Sequence, residues 1–421
     1  MDFTSPYALI IGSSIVLILS FFFGEISKKT SVPSVLMLII AGVFINIGLT
    51  AVGAPKIDYF PILEILGIVG LIMIVLEAAL ELKLTKDKIA PISISFAIAF
   101  IGLISSIWIT SLILQYFIEG MDSLHAWLYA TPLSILSSAI IIPSVIHLRG
   151  DKKEFHIYES TFSDILGIMV FYFIVSKIPS ADGTDHGGGI AVFCLTTLMT
   201  IGLSLFFSYV VILIFQKVKS DAKQFLLLSV LLLLYSLGKL MHLSSLIIIL
   251  IFGLVIANMD LFFKGPLKKW LNKEKAEHIY HGLHVVTLES AFVVRTFFFV
   301  IFGITIVFSS LASWQVIGVS ALCLVVIYIV RFILLRVSIG TDILPQLFVA
   351  PRGLITVLLF YAIPAEAQIS GFSEGIILFI IIGTSLIMTA AMIADKKRAG
   401  KSIDKANAIP VGDVKWKAPE L

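Results

Sequence analysis

Apolar residues in this chain gather into runs of about 17 to 25 residues, bounded by charges, glycines and prolines, the length a helix needs to cross a bilayer's hydrocarbon core. The runs place thirteen spans near 7–24, 33–50, 61–80, 90–118, 126–147, 156–178, 189–215, 222–240, 242–258, 281–308, 313–336, 343–364 and 372–393. Two of them are interrupted. The fifth carries Pro132, Ser134, Ser137, Ser138 and Pro143, and the twelfth breaks at Pro351, Arg352 and Gly353. A broken helix frees backbone groups that hydrocarbon cannot satisfy, so it is tolerated only where it is buried or lines a cavity.

The basic residues test this reading, because cytoplasmic loops are enriched in Lys and Arg. With the N-terminus outside, 24 of the 30 fall on the cytoplasmic side, and Lys56, Lys177 and Lys239 on the other. Arg295, Arg331 and Arg352 lie within or at the ends of spans. With thirteen spans and the seventh as a linker, the first six and the last six have opposite topology. That is the inverted-repeat plan of many secondary transporters, whose binding site is marked by matching interrupted spans.

Composition agrees: 59% of residues are hydrophobic and 14% charged, against roughly 45–50% and 25% in soluble domains. The expectation is an all-α polytopic membrane protein. The net charge of +3 belongs to the orienting loops, so nucleic acid is not a partner. Cys194 and Cys323 have no metal-ligand spacing and read as small core residues. Asp2 in place of a basic leader, with Lys28 and Lys29 after the first run, indicates a retained first span. The glycine-rich stretch 183–189 follows no strand and reads as an outer turn. The segment 396–421 reads as a short basic cytoplasmic tail, solvated or facing lipid headgroups.

The sixth run, HIYESTFSDILGIMVFYFIVS, carries Glu159, Ser160, Ser163 and Asp164. An ionisable residue within a span costs about 2.5–3.5 kcal/mol on insertion scales, so it marks a functional site by default. At 100° per residue Ser160 lies one turn from Asp164, Ser163 lies beside them, and Glu159 points about 140° away. A carboxylate with hydroxyls around it suits a small monovalent cation or a proton. The three span arginines need acidic mates, and Glu77, Glu159, Asp164 and Glu289 are available. Glu81 falls at headgroup level, the role of Glu77 stays open, and His278, His281 and His284 read as solvated residues at the inner end of the tenth span.

The runs LGIVGLIMIVLEAALEL, LSILSSAIIIPSVIHL, ESTFSD, RTFFFVIFG and PRGLITVLL, in this order and at these spans, resemble the monovalent cation:proton antiporter superfamily. The resemblance implies two inverted six-helix repeats with two crossing broken helices, within a transmembrane domain over 1–395. It implies a core domain near 61–178 and 281–393, interleaved with dimerisation helices near 1–60 and 189–258, in a homodimer. It also makes Asp164 the ion-binding carboxylate and pairs Arg331 with Glu159. The electroneutral branch reads E-S-x-x-N-D here, and Ser163 replaces the Asn. Ser137-Ser138-Ala139 replaces the T-D-P of the sodium-selective type, which removes one carboxylate and leaves sodium selectivity open.

The expected activity is electroneutral, one-to-one exchange of Na⁺, Li⁺ or K⁺ for a proton by competition at Asp164. Asp164, Ser163, Ser160, Ser137 and Ser138 are the ion-site residues, with Glu159, Arg331, Arg295 and Arg352 for pairing and charge compensation. No cofactor is expected, and the setting is a bacterial-type plasma membrane with the C-terminus cytoplasmic. The alternatives are a potassium/proton antiporter or a channel-like efflux protein. An intramembrane aspartyl enzyme needs two facing aspartates, whereas Asp260 and Asp342 lie near span ends.

Overall fold

The computed structural model describes residues 5–408 apart from 31, 54–58, 85–87, 146–147, 149, 179–189, 219–222, 242, 244, 265–271 and 306–312. The stretch 183–189, the side chain of Cys194 and the side chains of the basic tail from 397 onward lie outside the described residues. Among the described residues fifteen α-helices follow in order: α1 Pro6–Thr30, α2 Ser34–Ala51, α3 Phe60–Glu81, α4 Ile89–Phe117, α5 Ser123–Ser134, α6 Ser138–Ser144, α7 Gly150–Val175 and α8 Ile190–Phe215. Then come α9 Lys223–Leu240, α10 Ser245–Ala257, α11 Met259–Phe262, α12 Lys273–Thr305, α13 Trp314–Ser338, α14 Leu354–Tyr361 and α15 Gly375–Ala408. Among the described residues there is no strand.

Among the described residues eleven helices, counting α5 and α6 as one, are long and apolar enough to cross a membrane. The two other expected spans differ for physical reasons. The ninth, α10, has 13 residues and is buried along nearly its whole length. The twelfth is not continuous: turns at 344–348 and irregular backbone at 349–353 precede the eight-residue α14. Pro345 and Pro351 lack the N–H a helix needs and push the preceding residues toward extended backbone. Helix α7 starts at Gly150 rather than 156, and α12 at Lys273 rather than 281, because polar residues continue both helices beyond their apolar runs.

Packing sorts the helices into two groups. In one, α4 packs on α5, α7 and α13, α13 on α15, and α14 on α5. In the other, α12 packs on α2 and α3, α10 on α3, α8 and α9, and α1 on α2 and α12. The membrane-spanning parts of α3 and α12 fall inside the expected core limits of 61–178 and 281–393, while their main neighbours are in the second group. The α2–α12 contact is backbone to backbone: a Cβ on Gly42 would collide with the Val300 carbonyl, and one on Gly303 with that of Ile39. Along the seam between the groups, α3 meets α7 and α14, α10 meets α7, and α1 meets α6. Large apolar side chains on α1, α8 and α13 are exposed, as a lipid-facing surface requires.

Candidate functional site

The two interruptions meet inside the first group. Ile135 is extended between α5 and α6, which frees the last carbonyls of α5 and the first amides of α6. Each named group finds a partner. Arg352 donates from Nε to the Leu133 carbonyl at 3.0 Å, from Nη2 to Ser134 at 3.0 Å and from Nη1 to Ala350 at 2.8 Å. The amide of Leu136 donates to Ser163 Oγ at 3.0 Å, that of Ser137 to the Pro351 carbonyl at 3.0 Å, and that of Ser138 to Asp164 Oδ2 at 3.4 Å. The Arg352 amide is held by Thr384 Oγ1 of α15 at 3.0 Å. Gly353 permits the crossing, since a Cβ there would lie 2.7 Å from both Ser137 Oγ and Ile140 Cδ1.

Asp164 is 2% exposed, and its Oδ1 has no partner among the described residues. Ser137 Oγ, from the facing break, is also buried and unpartnered. Leaving a buried polar atom unmade costs about 1–3 kcal/mol, more for a charged group. These free oxygens are therefore the chemically unfinished part of the crossing. The structure brings Ser138 to Asp164, and Ser137 to the facing break at Pro351. Ser160 instead donates to the His156 carbonyl of its own helix at 2.7 Å, and Ser163 is occupied by Leu136.

The arginines divide by partner. Arg331 makes a two-pronged bond to Glu159 at 2.6 and 2.9 Å and donates through Nε to the Gln346 carbonyl at 3.0 Å. Arg295 lies 3.3 Å from Glu77 Oε2 and 3.1 Å from the Ala139 carbonyl. Arg352 departs from the expectation of an acidic mate, because the carbonyls at the C-terminal end of α5 supply its negative partners. His156, fully buried with Nδ1 3.5 Å from Glu159 Oε2, went unnoticed in the sequence, where a lone histidine near the start of a run carries no signal. His284 meets Glu81 at 3.0 Å, and His281 only approaches the exposed Glu277 at 3.9 Å. Among the described residues no group of three or more His, Cys, Asp or Glu could hold a metal ion.

The family model described as sodium/hydrogen exchanger, transmembrane, matches residues 15–394. The structure is similar to that of the sodium proton antiporter MjNhaP1 from Methanocaldococcus jannaschii at pH 8, with a TM-score of 0.66 and 20% identity over 93% of this chain and 99% of that one. An electron-microscopy map of the same antiporter gives a TM-score of 0.65 at 19% identity, covering 98% of this chain and 100% of the other. No curated protein matches the chain.

Proposed function

Since the chain belongs to the sodium/hydrogen exchanger family, as an integral membrane protein with many spans, we propose that it exchanges Na⁺ for H⁺ by competition at Asp164. The observation that carries this is the pair of buried, unpartnered oxygens, Asp164 Oδ1 and Ser137 Oγ, at the crossing of the two broken helices. A cation completes the coordination of the ionised carboxylate, and a proton neutralises it. Either neutral form can cross when the core moves, whereas the bare anion is too costly to carry through a dry barrier. That cost couples the two fluxes.

The pairing of the neighbouring acids supports a one-to-one, electroneutral cycle. Glu159 is matched by Arg331 and Glu77 by Arg295, which leaves Asp164 to exchange its charge partner in each cycle. Hard oxygen donors of this kind also accept Li⁺ or K⁺. The moving unit is the group holding α4 to α7 and α13 to α15, and the other helices form the scaffold and the contact of a homodimer. We place the N-terminus outside and the C-terminus in the cytoplasm of a bacterial-type plasma membrane.

The test is a pH-gradient assay in proteoliposomes with Na⁺, Li⁺ and K⁺, at two clamped potentials. Asp164→Asn should abolish exchange, and the rate of the parent protein should not depend on potential. On the acid side the half-maximal sodium concentration should rise by up to about tenfold per pH unit, the slope of one proton competing for one site. Persistent exchange by Asp164→Asn would sink the assignment. Cation flux that runs without an opposing proton flux would favour a channel.

A further inference from the structure

Of the three arginines in the spans, Arg295 alone reaches across the seam between the two helix groups. It stands on α12 beside Glu77 of α3, in one group, and donates from Nη1 to the Ala139 carbonyl of α6, in the other. The sequence explains why that carbonyl is free. In a helix, Ala139 would accept from the amide four residues later, and that residue is Pro143, which has no N–H.

Arg295 is also held more loosely than the other two. Its two bonds are 3.3 and 3.1 Å long and its buried Nε has no acceptor among the described residues. In Arg331 and Arg352, Nε and both terminal nitrogens are bonded at 2.6 to 3.0 Å. Glu77, the acid it faces, is tied through Arg295 to Ala139, whose neighbour Ser138 donates its amide to Asp164 Oδ2 at 3.4 Å.

We infer that Arg295 is a positioning residue that clasps α6 to the α3–α12 pair in this state, through the carbonyl bared by Pro143, and screens Glu77 so that Asp164 sets the cation affinity alone. The inference rests on the exchange reading above. When the groups move, the bond to Ala139 breaks while the Glu77 pair stays with the scaffold. The clasp thereby acts on turnover and the screen on affinity, which makes the two separable.

The test uses the full-length protein in proteoliposomes, with the parent and Asp164→Asn alongside. Arg295→Gln leaves Glu77 uncompensated, so both competing cations are drawn in. The half-maximal sodium concentration should fall about threefold to tenfold, and the pH of half-maximal exchange should rise. Glu77→Gln should shift both in the opposite sense, and the double variant should return both toward the parent. Pro143→Ala restores an amide for Ala139 and frees Arg295 from α6, so the maximal rate should change at least about twofold with half-maximal sodium unchanged.

Single variants that lose rate or yield without opposite shifts would reduce Arg295 to a structural brace and overturn the inference. A double variant as weak as Glu77→Gln would make Glu77 a cation ligand and overturn it as well. An active parent with an unaltered Arg295→Gln sinks this inference only, whereas a parent that moves no cation, or an active Asp164→Asn, sinks the exchange reading beneath it.

Discussion

The Glu159–Arg331 bond sets the energetic stakes for single residues. Removing one partner of a buried ion pair costs about 3–5 kcal/mol because the other charge is stranded. Glu159→Ala should therefore lower the unfolding temperature in detergent steeply, and Glu159→Ala combined with Arg331→Leu should recover part of the loss. Ser163 carries a smaller term. Its hydroxyl is the acceptor for the Leu136 amide, so Ser163→Ala leaves a buried N–H unmade at about 1–3 kcal/mol. Ser163→Asn keeps an acceptor and extends into a cavity of about 30 Å³ lined by Ser134, Glu159, Arg331 and Arg352. It should keep exchange with altered preference among Na⁺, Li⁺ and K⁺, read in the same liposome assay.

At the scale of the element, the two interruptions could be read from proline and glycine, and the buried carboxylate from its cost in hydrocarbon. What the sequence did not carry is how the breaks are satisfied. An arginine in a span suggests a carboxylate, but helix ends offer carbonyls of similar attraction, and only the fold puts Arg352 at the end of α5. Ser160 shows the same local competition: helical spacing puts it beside Asp164, while a serine inside a helix bonds readily to the carbonyl four residues back. The start of α5 was equally hidden. Asp122 there accepts the His125 amide at 2.9 Å, which with the His125 side chain holds its carboxyl below the usual carboxylate range against the opposing effect of burial. A lowered value means that the stabilisation is present above the unfolded value and lost as pH falls through the folded one. Acid should thus uncap α5, and Asp122→Asn, which caps without titrating, should remove the acid dependence of amide exchange at His125.

For the whole molecule, the alternation of loop charges and the thirteen runs conveyed a many-spanned helical protein, because bilayer thickness imposes one length on every element. The grouping of helices was less legible, since α3 and α12 are as apolar as their neighbours and only side-chain size, as at Gly42 and Gly303, decides how closely backbones approach. The short α10 has a consequence for how the chain enters the membrane. Its 13 residues reach about 20 Å, too little to be taken up as an independent span. Helix α9 lies beside it, with the Leu243 amide returning to the Gly238 carbonyl at 2.9 Å and Gly238 packed against Ser245 and Ile248. The two should therefore integrate as one hairpin. In a cell-free insertion assay, a reporter carrying α10 alone should stay outside the bilayer, and one carrying α9 and α10 together should enter.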